Sequence, residues 1–148
     1  VEVIQYLYNT FKDTIDINKK DKYGNTALMY AAKNNRDVEV IKYLYNTFKD
    51  TIDINKQNND GYTSLMLAAQ YNTNIKVTKY LYNTFKNTID FSIQNKYGNT
   101  ACSLSAQNIK KEVAHYLYTT IDINAQNKNG DTELMYAIKV KLNIEVIQ

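Results

Sequence analysis

The stretch VEVIQYLYNTFKDTIDIN at residues 1–18 returns at residues 38–55 as VEVIKYLYNTFKDTIDIN, with Gln5 exchanged for Lys42 and nothing else altered. A third version, IKVTKYLYNTFKNTIDFS, fills residues 75–92, and a shortened one, KEVAHYLYTTIDIN, fills residues 111–124. Working outward, a second block repeats in step with the first: GNTALMYAAKNN from Gly24, GYTSLMLAAQYN from Gly61, GNTACSLSAQNI from Gly98 and GDTELMYAIKVK from Gly130. The four glycines stand 37, 37 and 32 residues apart. Self-similarity at this period marks a stacked array, in which no single unit can bury its apolar face alone.

Each unit reads as turn, short helix, longer helix. Glycine serves the turn, because it reaches positive φ at little steric cost. Two residues later comes Thr26, Thr63, Thr100 or Thr132, a hydroxyl suited to cap a helix start. The short helix then carries Leu28, Ala31 and Ala32 at helical spacing, with alanines small enough to admit a neighbouring helix. In the longer helix Val38, Ile41, Leu44, Tyr45 and Phe48 form one apolar face, while Val40 and Tyr43 add a second. A helix apolar on two sides suits a unit covered by neighbours on both sides. Phe11, Phe48 and Phe85 share one register and are expected to form a stacked core ladder.

The pattern G-x-T-x-L-x-x-A-A, then a helix with E-V-x-K-x-L, then D-I-N, resembles the ankyrin repeat across essentially the whole chain. The resemblance implies a mainly α, ankyrin-like solenoid of helix-turn-helix units joined by hairpin-like turns. One array is expected over 1–148: a partial repeat at 1–18, full repeats at 19–55, 56–92 and 93–124, and a truncated repeat at 125–148. The chain opens on VEVIQ and closes on IEVIQ, equivalent places in a long helix, so it reads as a fragment of a longer array whose end units fray.

Three departures from the family pattern stand out. Thr-Pro-Leu-His becomes Thr26-Ala27-Leu28-Met29 and its counterparts, so the proline and the histidine are both missing. Two units have 37 residues against about 33 in the family. Three of the extra residues fall near the end of the long helix and, if helical, lengthen it by roughly 4.5 Å. Finally, the glycine that ends the long helix is replaced by Thr14, Thr51, Thr88 and Thr120.

Composition narrows the function. The chain has 148 residues, 44% hydrophobic and 22% charged, which is globular rather than disordered. A net charge of +3 is too weak to imply a nucleic-acid partner unless it is concentrated in a patch. No apolar run approaches the roughly 20 residues that a membrane span needs. Cys102 is the only cysteine and no Asn-x-Ser/Thr triplet occurs, which together point to a cytoplasmic or other reducing compartment.

No catalytic residue, metal site or cofactor is expected. His115 occupies the register of Gln5, Lys42 and Lys79 and reads as a surface residue. Cys102 occupies the register of Leu28, Leu65 and Leu134 and reads as a small core residue. Asp16, Asp53, Asp90 and Asp122 fall one to a unit, about 8–10 Å apart if helical layers set the spacing, too far to share a proton. Their repetition favours a role in the turns. No GxGxxG or GxxxxGK[ST] string is present.

What the resemblance implies instead is a protein-protein interaction scaffold, holding an unidentified partner protein by its turn tips and the concave face of its short helices. By register the tip positions are Lys22, Tyr23 and Asn25; Asn59, Asp60 and Tyr62; Lys96, Tyr97 and Asn99; and Lys128, Asn129 and Asp131. The short-helix positions are Lys33, Asn34, Gln70, Tyr71, Gln107, Asn108 and Lys139. Tyrosine gives large amphipathic contact with few rotatable bonds, which favours Tyr23, Tyr62, Tyr71 and Tyr97 as anchors. The alternative is the recognition arm of an enzyme or effector whose catalytic domain lies outside this segment. Nucleic-acid binding by the tip lysines is disfavoured, because Asp21, Asp60 and Asp131 lie beside them.

Overall fold

A computed structural model describes residues 1–34, 36–122, 124–126 and 129–139. They form α1 (Glu2–Phe11), α2 (Ala27–Asn34), α3 (Val38–Phe48), α4 (Ser64–Tyr71), α5 (Ile75–Phe85), α6 (Ala101–Ser105), α7 (Lys111–Thr120) and α8 (Glu133–Lys139). Among the described residues there is no strand, only an isolated antiparallel bridge between Gln126 and Thr132. Short helices α2, α4 and α6 pack in one row and long helices α3, α5 and α7 in another, each short helix also resting on the long helix after it. The architecture is the mainly α repeat solenoid expected from the sequence.

The core runs between the two rows. Leu28, Ala31 and Ala32 of α2 and Leu65, Ala68 and Ala69 of α4 meet Ile41, Leu44, Val77 and Leu81 of the long helices, all buried. The phenylalanines do not stack on one another. Phe48 meets Tyr8 edge-on at 5.4 Å and Phe85 meets Tyr45 at 5.1 Å, so each ring is taken by a tyrosine of the preceding unit. Edge-on geometry suits the ring quadrupole better than a face-to-face sandwich. Phe11, with no preceding unit to meet it among the described residues, is exposed.

Thr26, Thr63, Thr100 and Thr132 cap the short helices: the amides of Met29, Met66, Ser103 and Met135 donate to their hydroxyls at 3.4, 3.3, 3.2 and 3.3 Å. The return bond explains the missing histidine. The amide of Thr26 points at the Met29 sulfur (3.4 Å), that of Thr63 at the Met66 sulfur (3.5 Å), and that of Thr100 at the Ser103 hydroxyl (2.9 Å). Sulfur is a weak acceptor, so the box is tightest at α6.

The long helices stop earlier than their sequence suggests. The amide and hydroxyl of Thr14, Thr51 and Thr88 both donate to the carbonyls of Phe11, Phe48 and Phe85, all within 3.3 Å. A threonine three residues on thus closes the helix where the family uses glycine. The expected 4.5 Å extension is therefore corrected: residues 49–51 form this closing turn and do not lengthen α3. The helices α3 and α5 have 11 residues against 10 in α7, whose unit lacks the extra turn.

Side chains then staple one unit to the next. Asn18 donates to the carbonyl of Thr51 (2.6 Å) and accepts from the amide of Asp53 (2.9 Å). Asn55 does the same to Thr88 (2.7 Å) and Asp90 (2.9 Å). Ser92 replaces asparagine in the third unit, and the Tyr82 hydroxyl takes over, donating to the carbonyl of Thr120 at 2.9 Å. The aspartate column has the role expected of it: Asp16, Asp53, Asp90 and Asp122 each accept from the amide two residues on, at 2.9–3.0 Å.

Gly61 shows why the turns need glycine. Its φ is +81°, and a Cβ there would lie 2.8 Å from the Cα of Asn95 and 2.9 Å from the nitrogen of Lys96, both main chain of the next tip. Gly130 has the same backbone (φ +79°) with nothing within 4 Å among the described residues. Gly130→Ala should therefore cost only the left-handed strain, about 1–2 kcal/mol. Gly61→Ala should cost clearly more and lower cooperativity, as read by urea denaturation followed by circular dichroism. The helix α1 buries no residue, whereas α4 buries six. Amides of residues 2–11 are expected to exchange much faster than those of 64–71 in native-state hydrogen exchange. The fraying expected after residue 140 falls outside the described residues.

Candidate protein-binding face

Each turn tip is built around one side chain that accepts two amides. Asp21 takes the amides of Tyr23 and Asn25, Asn58 those of Asp60 and Tyr62, and Asn95 those of Tyr97 and Asn99, at 2.8–3.1 Å. Adjacent tips are joined main chain to main chain, the Asn59 amide to the Tyr23 carbonyl and the Lys96 amide to the Asp60 carbonyl, both at 3.0 Å. Asn59 also donates to the Lys22 carbonyl, and Asn58 to the side chain of Asn25. Asn25 and Asn59 thus help to hold the tips together, and Asn99 lies half-buried in its own turn.

What the tips leave exposed is a set of paired lysines and tyrosines. Lys22 lies over the Tyr23 ring at 4.9 Å, Lys33 over Tyr71 at 4.8 Å, and Lys96 over Tyr97 at 5.1 Å. Such contacts stabilise by roughly 0.5–1 kcal/mol at exposed sites, enough to bias two mobile side chains toward one arrangement. Lys96 also forms an ion pair with Asp60 of the preceding tip, which holds its ammonium above the usual lysine range. Tyr30, a residue outside the sequence-based set, donates to Asp21 at 2.6 Å and holds that carboxyl below its ordinary value. Tyr62 is half-buried between its neighbours, and burial followed by the adjacent Tyr71 pushes its phenol up.

On the short helices Lys33, Asn34, Tyr71 and Gln107 are exposed, and Gln70 is bonded to Gln107 at 2.5 Å. Asp131 lies half-buried at the fourth tip. Lys128 lies outside the described residues, and the side chain of Lys139 is likewise not described.

Asn108 is a correction. It is 1% exposed and donates to the carbonyls of Ala69 (2.9 Å) and Asn72 (2.9 Å), so it faces the preceding unit and cannot touch a partner. The reason is a shift of register. The helix α5 opens 37 residues after α3, but α7 opens only 36 after α5. Asn108 is therefore the counterpart of Asn72, which donates to the Ala32 carbonyl at 2.8 Å.

The other residues weighed for chemistry fall in place. His115 is exposed. Cys102 is buried, and burial pushes its thiol well up, away from the thiolate that reactivity needs. Among the described residues no three His, Cys, Asp or Glu side chains are grouped to hold a metal ion, and no helix is long and apolar enough to cross a membrane. A cavity of about 690 Å³ runs beside α1, lined by Leu7, Tyr8, Tyr30, Ala31 and Leu44.

The Asn108 assignment has a distinct signature. Asn108→Ala leaves buried carbonyls without a donor and should lower stability by about 1–3 kcal/mol in urea titrations. A residue that served only a partner would leave the midpoint unchanged.

A family model for ankyrin repeats, in three copies, matches residues 1–95. No curated protein matches the chain. Ankyrin repeats are generally protein-protein interaction modules and typically non-catalytic. The Gly-x-Thr turns, the alanine-lined short helices and the stacked long helices carry the same assignment, and the chain belongs to the ankyrin repeat family.

Proposed function

We propose that the protein is a non-catalytic scaffold that holds a partner protein on its turn tips and the outward side of its short helices, in the cytoplasm or another reducing compartment. The observation that supports this most directly is the set of exposed aromatic side chains placed by a scaffold with no slack. Tyr23, Tyr71 and Tyr97 each stand at least 47% exposed, and each is flanked by a lysine set over its ring. The Tyr23 carbonyl takes the Asn59 amide of the next tip, the Tyr97 amide bonds within a turn joined to the tip before it, and Tyr71 ends helix α4. Aromatic anchors on rigid backbone lose little entropy on binding, which is where hot-spot energy concentrates.

The binding set in this reading is Lys22, Tyr23, Lys33, Asp60, Gln70, Tyr71, Lys96, Tyr97 and Gln107, with Tyr62 supporting its neighbours from beneath. Replacing Tyr71 and Tyr97 together by alanine is expected to weaken partner capture at least tenfold, since hot spots cost about 2 kcal/mol each. Circular dichroism should be unchanged and melting lowered only slightly, by the loss of two lysine–ring contacts, because both side chains lie outside the core. The measurement is affinity capture with quantitative mass spectrometry, followed by titration of the purified partner. Lys76→Ala, an exposed change on the long helix α5, is the control. Equal capture by wild type and the double variant would sink the assignment.

A further inference from the structure

Ser64 and Ala101 open α4 and α6 and are buried. The same position in α8 holds Glu133, whose carboxylate sits partly out of water where this last short helix meets the unit before it. The Thr100 hydroxyl donates to Glu133 Oε1 at 3.0 Å and approaches Oε2 at 3.3 Å. That hydroxyl has one proton, and it already accepts the Ser103 amide. Among the described residues the carboxylate is therefore answered by one neutral donor. The other groups that face it are the buried Cys102 of α6 and Tyr118 of α7, and Asp122 and Asp131 line the same small pocket. No lysine or arginine lines that pocket among the described residues. Among the described residues the buried Tyr118 hydroxyl has no hydrogen-bond partner.

We propose that Glu133 makes the seam between α6 and α8 acid-responsive, the unit that carries α8 docking more tightly with the carboxyl protonated than with it ionised. An ionised carboxylate without a cation is costly to take out of water, whereas a neutral acid is not. Burial raises the Glu133 carboxyl above its ordinary value of 4.5, with the Thr100 bond opposing. The sign follows. A raised carboxyl value means that docking is favoured by protonation; the gain is full below about pH 4.5 and is lost as pH rises through the docked value. The inference concerns regulation of the scaffold and does not depend on which residues hold the partner. His115, the only histidine, is exposed on α7 and plays no part in the seam.

The test is hydrogen exchange on the whole chain at pH 7.0 and pH 4.5, corrected for intrinsic exchange, with amides of α4 as internal reference. Protection of residues 133–139 relative to α4 should rise at least about twofold on acidification. Glu133→Gln should show the acid-level protection at both pH values, and Glu133→Ala, which restores the residue type of α6, should also lose the pH response. His115→Gln should keep it. Protection of α8 that is flat or lower at pH 4.5 would overturn the proposal, as would a pH response that survives in Glu133→Gln.

Discussion

The short helices α2 and α4 of this protein have carbonyls that the following unit satisfies, and the array is organised around that dependence. A helix of five to eight residues has no stability of its own, and its last four carbonyls lack intrahelical partners. Asn72 reaches back to Ala32, and Asn108 to Ala69 and Asn72. Asn18 and Asn55 take the carbonyls that follow the long helices of the next unit. Each unit is finished by its neighbour, so burial of the leucines and alanines and satisfaction of the backbone occur in the same step. That coupling is what makes a quasi-one-dimensional array cooperative.

Much of this was legible in the chain. Period and apolar spacing decided the helices, the rows and most of the core, because near-copies such as residues 1–18 and 38–55 fix register without any propensity argument. The aspartate column and the buried Cys102 followed from the same register. Four things did not follow, the first being the phenylalanine ladder, whose rings meet tyrosines of the preceding unit instead. The extra residues of the long units were compatible with helix or turn, and the choice was made by Thr51 and Thr88 bonding back to phenylalanine carbonyls. The single-residue shortening ahead of α7 is invisible when the glycine spacing is carried straight through, and it moved Asn108 from the surface to the interior. The inter-unit role of Asn18 and Asn55 lay hidden inside a Asp-Ile-Asn string that reads as an ordinary turn.

The candidate face shows a division of labour within each tip. Asp21, Asn58 and Asn95 build the turn, the glycines allow the next tip to approach, and the residues between them point outward. Side chains that vary between units sit on main chain that does not. Lys33 and Tyr71 come from consecutive units, as do Asp60 and Lys96, so surface chemistry is assembled across seams rather than within repeats. A change in how two units stack would move both members of such a pair relative to each other.

The Tyr82 bond to Thr120 bears on a hazard of near-identical repeats. The first two seams use the same asparagine at the same place, so a chain stacked one unit out of step would find its staples equally well. At the third seam the donor is a phenol on the long helix and the acceptor is the last residue of a helix that lacks the extra turn. Slippage would leave that phenol and that carbonyl without each other. An irregular junction of this kind disfavours stacking out of step, which a strictly periodic array would tolerate.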